Sequence, residues 1–236
     1  MSKNFPKWYE IYQENVMEWH KIVQLTTRAE MVHNYLTNPQ LIQSEIQECF
    51  DAANDSNPVE LLDGILDILW EAIPCLIYCN KFVEVVELDE EGKKEPTMQE
   101  AFIALAADFE SSIGYKLAAL ATFERTAVAY LSGLADGLQL HALGQSIVTS
   151  NFSKLFDLTV YDMKAIEADL QATQAKYPAR NIHYIVSKNN PAFLFFEQSL
   201  KLQKPAIKYV EPDLKARMEV GLTEGLISLC AELEII

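Results

Sequence analysis

Five carboxylates in one short stretch have the types and spacing to do chemistry together. Glu45 and Glu48 lie three residues apart, and Glu60, Asp63 and Asp67 follow at intervals of three and four. On α-helices each set keeps to a single face. Glu71 extends the second stripe by one more turn. Like charges at this spacing repel, so the pattern needs a reason. Asp63 and Asp67 sit inside Leu61-Leu62-Asp63-Gly64-Ile65-Leu66-Asp67-Ile68-Leu69-Trp70, a run apolar enough to be largely buried as a helix. Buried carboxylates need cationic partners. No Lys or Arg lies between Arg28 and Lys81. The natural counter-charge is a hard divalent cation, Mg²⁺ or Mn²⁺, held by carboxylate oxygens across a gap. A solvated helix face would account for Glu45, Glu48 or Glu60 singly. It leaves Asp63 and Asp67 unexplained.

Two helices must position these groups, and both have start signals. Asn38-Pro39 reads as an N-cap followed by proline in the first turn, opening a helix that runs to about Ala53. Asn54-Asp55-Ser56 is a turn. Asn57-Pro58 repeats the start signal, and the next helix ends near Pro74 or continues past it with a kink. So short a turn folds the two helices antiparallel and lets their acidic faces meet.

The remainder of the chain also reads as mostly helical. Residues 5 to 25 carry an amphipathic helix with Trp8, Tyr12, Val16 and Trp19 on its apolar side, and a second helix is expected over 28–35. Residues 88 to 96 form a charged loop. Thr97 and Glu100 make a capping box, and residues 98–150 read as two or three helices broken or closely packed at Gly133, Gly137 and Gly144. Residues 161–176 are helical. Residues 182–186 and 193–196, joined by Lys188-Asn189-Asn190-Pro191, form a small hairpin. An extended basic stretch follows from Lys201 to Pro212, then a last amphipathic helix over 214–233. The fold class is an all-α, antiparallel helical bundle with a hairpin near residues 182–197.

The composition narrows the functions. With 236 residues the chain suits one domain, and half of them are hydrophobic, enough for a real core. A formal net charge of -15 argues against nucleic acid and anionic membrane surfaces as partners. Cys49, Cys75, Cys79 and Cys230 have neither disulfide-framework nor zinc-finger spacing, which fits a reducing compartment. No apolar signal core opens the chain, and charges interrupt the longest apolar run, so a cytoplasmic protein is expected. Glycine-rich phosphate loops, nucleophile elbows and histidine ligand spacings are absent from the sequence.

Glu45-x-x-Glu48, a short turn, then Glu60-x-x-Asp63 with Asp67 a turn further resembles the signature of the all-α nucleoside triphosphate pyrophosphohydrolases. That group includes MazG, the dimeric dUTPases and phosphoribosyl-ATP pyrophosphohydrolase. The usual pattern is Glu-Glu-x-x-Glu followed by Glu-x-x-Asp; here Ser44 stands at the first glutamate. Glu60–Asp63 is the literal match to the second half, while Asp67-Ile68-Leu69-Trp70 looks more like the family's aspartate with its apolar followers. Downstream, Thr149-Ser150-Asn151-Phe152-Ser153-Lys154 is similar to the Ser-Asn-Met-Ser-Lys stretch of phage-type MazG-like proteins. Gln203-Lys204-Pro205, Lys208-Tyr209 and Glu211-Pro212-Asp213-Leu214 are similar to their lysine-rich segment and Pro-Pro-Asp-Leu-like end.

The resemblance implies a single MazG-like helical domain over 1–236, with a helical insertion around 75–130 and a hairpin and basic tail segment at 177–213. It implies hydrolysis of a nucleoside triphosphate between the α and β phosphates, giving a monophosphate and pyrophosphate. The metal ligands would be Glu45, Glu48, Glu60, Asp63 and Asp67, with Glu45 or Glu48 as catalytic base. Asn151 and Lys154 would reach the phosphates or base, and Lys204 and Lys208 would clamp the outer phosphates. The cofactor would be Mg²⁺ (or Mn²⁺), the assembly a homodimer or homotetramer, and the source a phage acting in its host's cytoplasm.

Overall fold

The computed structural model describes residues 5–23, 40–79, 95–108, 113–198 and 201–234. Its helices are α1 (Lys7–Val23), α2 (Gln40–Asn54), α3 (Pro58–Tyr78), α4 (Met98–Asp108), α5 (Ile113–Leu134), α6 (Gly137–Phe152), α7 (Met163–Lys176) and α8 (Val220–Leu233). A 3-10 turn at Lys215–Arg217 precedes α8, and the strands are β1 (Leu155–Asp157), β2 (His183–Val186), β3 (Phe193–Gln198) and β4 (Lys201–Leu202). The protein is mostly helical with one small antiparallel sheet. The expected helix over 28–35, the Asn38-Pro39 start and the loop from residue 88 to 94 lie outside the described residues.

Local chemistry sets the helix ends. Asn57 caps α3: its side-chain oxygen accepts from the Glu60 amide at 3.3 Å, and Pro58 occupies the first turn. The α2 end closes with amide bonds from Ser56 to the Ala53 carbonyl (2.9 Å) and from Asn57 to the Ala52 carbonyl (2.8 Å). This is the Schellman pattern, and it puts Ser56 in the left-handed region with φ 50°. The capping box ahead of α4 forms in both directions. The Thr97 amide donates to the Glu100 carboxylate (2.7 Å), and the Glu100 amide to the Thr97 hydroxyl (3.2 Å). Residues 98–150 resolve into three helices, of which α6 begins at Gly137 behind the Asp136 cap. Within 75–130 the described residues are helical except Cys79 and residues 95–97.

Helix α3 runs through Pro74 to Tyr78. A proline has no amide hydrogen to give the carbonyl four residues back, here that of Trp70. The imidazole of His20, buried in α1, packs beside Trp70 with ring centroids 6.2 Å apart. Trp19 packs edge-on against the Trp70 ring at 5.4 Å. Trp8, Tyr9, Tyr12, Val16 and Trp19 of α1 are all buried within the single chain, so this helix is core and not an exposed interface.

The expected hairpin forms: β2 pairs antiparallel with β3, Tyr184 opposite Phe196 and Ile185 opposite Phe195. β1 and β4 also pair with β3, and neither is marked by periodicity in so few residues. Phe156, Ile166, Ile182, Leu194 and Phe196 make a second, small core between this sheet and α7.

Helices α2 and α3 pack along each other, and Gly64 is the closest point. A Cβ built there would lie 2.5 Å from Cys49 Sγ and 3.6 Å from the Glu45 carbonyl. Gly64→Ala is expected to cost about 1–3 kcal/mol, the range for overpacking a filled core. Because the obstruction is one sulfur atom, adding Cys49→Ala should return part of that loss. Urea midpoints of both single variants and the double measure the coupling, and additive losses would show that the helices do not meet there.

Candidate functional site

The α2–α3 hairpin carries the acidic faces: the helices approach closely at Gly64, beside Cys49 and the Glu45 carbonyl, and carboxylates of each helix act on those of the other. Burial pushes Asp63 up to about 7, with Asp67, Glu60 and Glu48 adding to the rise and Lys204 opposing it. Asp67 also rises to about 7, through burial and then Glu45 and Glu71, against the pull of Lys154 and Lys204. The buried Cys49 thiol is raised by burial and then by Glu45, Glu48, Asp67 and Asp63. Burial likewise raises the Tyr12 hydroxyl, followed by Asp67, Asp63 and Glu71. Six carboxylates therefore act on one another along the α2–α3 hairpin.

Depth divides them. Glu48 and Glu60 are exposed, whereas Glu45, Asp63 and Asp67 are half-buried. Asp67 retains some accessible surface although protein crowds its carboxylate on nearly every side. Glu60, in the first turn of α3, is also favoured there by the helix dipole. Tyr12 lies behind the gap, its hydroxyl donating to the Leu66 carbonyl at 3.0 Å. Ser44, at the place of the pattern's first glutamate, donates to the Leu41 carbonyl of its own helix at 2.6 Å.

The donor set is all carboxylate oxygen, the chemistry of a hard cation. Asp63 Oδ1 is sealed from solvent with no hydrogen-bond partner among the described residues, a costly state that a cation would relieve. Among the described residues no three His, Cys, Asp or Glu side chains are gathered closely enough to hold an ion as they stand. The residues fit a cation in type, and side-chain rotation would have to complete the ligand set.

The structure brings two of the four predicted substrate contacts to this gap. Lys154 and Lys204 both act on Asp67, and Lys204 on Asp63 as well. Asn151 is buried and plays a supporting part. Its side-chain oxygen accepts from Lys154 Nζ at 2.6 Å, its amide donates to the Ile147 carbonyl at 3.3 Å, and its own carbonyl accepts from Trp19 Nε1 at 2.9 Å. Lys208 points elsewhere. Its ammonium donates to the Leu155 carbonyl and lies 4.5 Å from the Phe156 ring centroid and 4.9 Å from that of Tyr161. Burial lowers it to about 8. Spacing along an irregular segment cannot say which way a side chain turns, so Lys204 and Lys208 looked alike in sequence.

Residues missed in the sequence hold the lysine-bearing segment in place. Ser146, Ser150 and Ser153 lie along one side of α6 and its end. Ser146 Oγ accepts from the Asp213 amide (2.6 Å), Ser153 Oγ accepts from the Val210 amide (2.9 Å), and Ser150 Oγ is 2.8 Å from the Tyr209 hydroxyl. On the other side, the buried Asp169 of α7 accepts from the Ile207 and Lys208 amides at 3.0 Å each. Thr173 accepts from the Ala206 amide at 2.9 Å. Ser150 and Ser153 lie in the 149–154 stretch already singled out; for Ser146 the signal was serine recurring at helical spacing ahead of a strandless, proline-bearing segment that had to bond somewhere.

These features define a class: a helical protein whose α2–α3 hairpin carries mutually interacting carboxylates, on two of which, Asp63 and Asp67, lysines also act. No protein-family model, curated protein or solved structure matches the chain. Among the described residues no helix is long and apolar enough to cross a membrane.

Proposed function

We propose that the protein is a Mg²⁺-dependent nucleoside triphosphate pyrophosphohydrolase, built as a bundle of the all-α pyrophosphohydrolase type. The observation that carries the reading is the pair Asp63 and Asp67. Both are pushed up to about 7 by burial and by surrounding carboxylates, even with Lys154 and Lys204 nearby. Acids perturbed by burial and by neighbouring charges cluster at functional sites. Further support comes from the contact between the 146–153 and 206–213 segments, the two regions that carry the downstream resemblance.

Glu45, Glu48, Glu60, Asp63 and Asp67 would hold the ion, which would supply charge neutralisation for the triphosphate and acidify a bound water. Water adds to the α phosphorus, the bond from that phosphorus to the αβ-bridging oxygen breaks, and the products are a nucleoside monophosphate and pyrophosphate. Glu45 or Glu48 takes the water's proton. Lys154, oriented by Asn151, and Lys204 offset phosphate charge. A homodimer or homotetramer, a cytoplasmic location and a phage source complete the reading.

Pyrophosphate release from a panel of deoxynucleoside and ribonucleoside triphosphates with Mg²⁺ tests it. Glu48→Ala is expected to lower turnover at least ~100-fold, as removal of a general base does. Absence of turnover with every nucleotide, or turnover untouched by Glu48→Ala, would overturn it. A second reading keeps the fold and the nucleotide but not the catalysis, and it rests on Ser44 bonded to its own helix. It predicts that Mg²⁺ and nucleotide together raise thermal stability with no pyrophosphate formed.

A further inference from the structure

We propose that the outer edge of β2 is an interface between two copies of this chain, in which the β2 strands pair antiparallel about a two-fold axis at Ile185. Such an interface would build the homodimer proposed above, and it depends on none of the proposed chemistry.

The pairing of β2 with β3 fixes which way each backbone group of β2 points. The Ser187 amide donates to the Phe193 carbonyl at 2.9 Å, and the register sets Ile185 opposite Phe195 and His183 opposite Glu197. Backbone groups alternate in direction along an antiparallel strand. The odd-numbered residues therefore bond to β3, and the amides and carbonyls of Tyr184 and Val186 face outward. β2 ends the sheet on that side. Among the described residues nothing bonds to these four outward groups. The Tyr184 and Val186 side chains are exposed as well, at 43% and 44%.

The positions around them are closed. Gln174 of α7 accepts from the Ile182 amide at 3.1 Å and donates to the Arg180 carbonyl. On the opposite side of the sheet, the Leu155 carbonyl of β1 accepts from the Lys208 ammonium. The Asp157 carbonyl accepts from the Val160 and Tyr161 amides at 2.9 Å each. An open edge is a template for another strand, and proteins blunt such edges with lysine, proline or a bulge. Residues 183–186 contain no lysine or proline and pair with β3 without a bulge.

The free groups say what fits. They are two amides and two carbonyls on residues two apart. A second copy turned about Ile185 offers the same set. Tyr184 of each copy exchanges both bonds with Val186 of the other, which makes four bonds and leaves no group over. A longer strand would bring further backbone groups against Ile182, whose amide Gln174 already serves. Tyr184 beside Val186 is an aromatic and a β-branched side chain, a favourable cross-strand pair. Charge agrees. Two chains of net charge -15 repel in most orientations. No Asp or Glu lies between Asp169 and Glu197, and this register sets Lys188 opposite Ile182 and His183 opposite Ser187, so no like charges meet.

Sedimentation velocity of the full chain over a concentration series tests the assembly, and a wild-type dimer is expected. Val186→Pro removes one outward amide per copy and leaves the ladder to β3 intact. Its far-UV circular dichroism should match wild type while the dimer Kd rises at least ~10-fold, as for two lost hydrogen bonds. Cross-linking tests the register. The two copies of Ile185 would form a non-hydrogen-bonded pair, close enough for a disulfide. Cys49, Cys75 and Cys230 are buried, so the background needs only Cys79→Ser. In it Ile185→Cys should give a linked dimer with oxidised glutathione. Val186→Cys should not, because the two 186 positions lie on a diagonal too long to bridge. A monomeric wild type overturns the proposal. So does a folded Val186→Pro with unchanged dimer Kd, and so does a failure of Ile185→Cys to link better than Val186→Cys. Should Val186→Pro not fold, the two cysteine variants decide. Nucleotide turnover by a monomer removes this interface and leaves the pyrophosphohydrolase standing. The linked dimer without turnover of any nucleotide does the reverse.

Discussion

Asp67→Asn is expected to abolish pyrophosphate release and, in the absence of divalent cation, to make the protein more stable. The folded-state value for Asp67 is about 7 against an ordinary 3.8. A carboxyl raised by folding contributes stability while protonated, below about pH 4. That contribution is lost as the pH rises to 7, and above 7 the fold carries the full penalty of the charge. A displacement of this size corresponds to about 4 kcal/mol for an isolated group. Asp63 shares the repulsion and Asp67 keeps some surface, so a gain of about 1–3 kcal/mol is the realistic expectation. Asparagine has nearly the same shape and no charge. Urea midpoints at pH 8 with a chelator measure the gain, and Mg²⁺ should stabilise the wild type but not the variant. A destabilised Asp67→Asn, or equal Mg²⁺ stabilisation of both proteins, would show that the gap is not held open for a cation.

The second large effect belongs to His20. Burial holds its imidazole down at about 3, against an ordinary 6.5, with the bond to Trp70 opposing only in part. A base lowered by folding contributes stability above its unfolded value, and that contribution drains away as the pH falls from about 6.5 towards 3. Each unit within that window costs about 1.4 kcal/mol. Asp63 and Asp67 act in the opposite sense over the adjoining range, since their protonation between pH 7 and 4 relieves repulsion. The wild-type profile is thus a sum of opposed slopes. His20→Gln keeps a polar side chain of similar size and removes the titration. Its stability relative to wild type should rise by about 1.4 kcal/mol per unit below about pH 6, by urea unfolding from pH 7 to 4.5. A constant difference across that range would mean that His20 does not stay neutral in the fold.

Much of this protein is legible one turn at a time. Asn57-Pro58, Thr97-x-x-Glu100 and the 3.6-residue apolar spacing announce α3, α4 and the core face of α1, because caps and amphipathic stripes depend on neighbours within four residues. The hairpin was readable from two β-rich runs and the turn between them. β1 and β4 were not, since three- and two-residue strands exist only by virtue of pairing with β3. The sequence left open whether α3 ends at Pro74; in the fold it runs on to Tyr78, with Trp19 and His20 of α1 packed against Trp70.

By itself the sequence determined that six carboxylates would line two adjoining helices with no basic residue among them, since residue type and helical spacing are local facts. Only the tertiary structure decided which charges would answer them. Lys204 and Lys154 come to the gap, whereas Lys208, four residues from Lys204, turns to Leu155 and its aromatic neighbours. The reason is physical. The direction of a side chain on an irregular segment follows from what its backbone amides bond to, and here those partners, Asp169, Thr173, Ser146 and Ser153, lie 33 to 67 residues away.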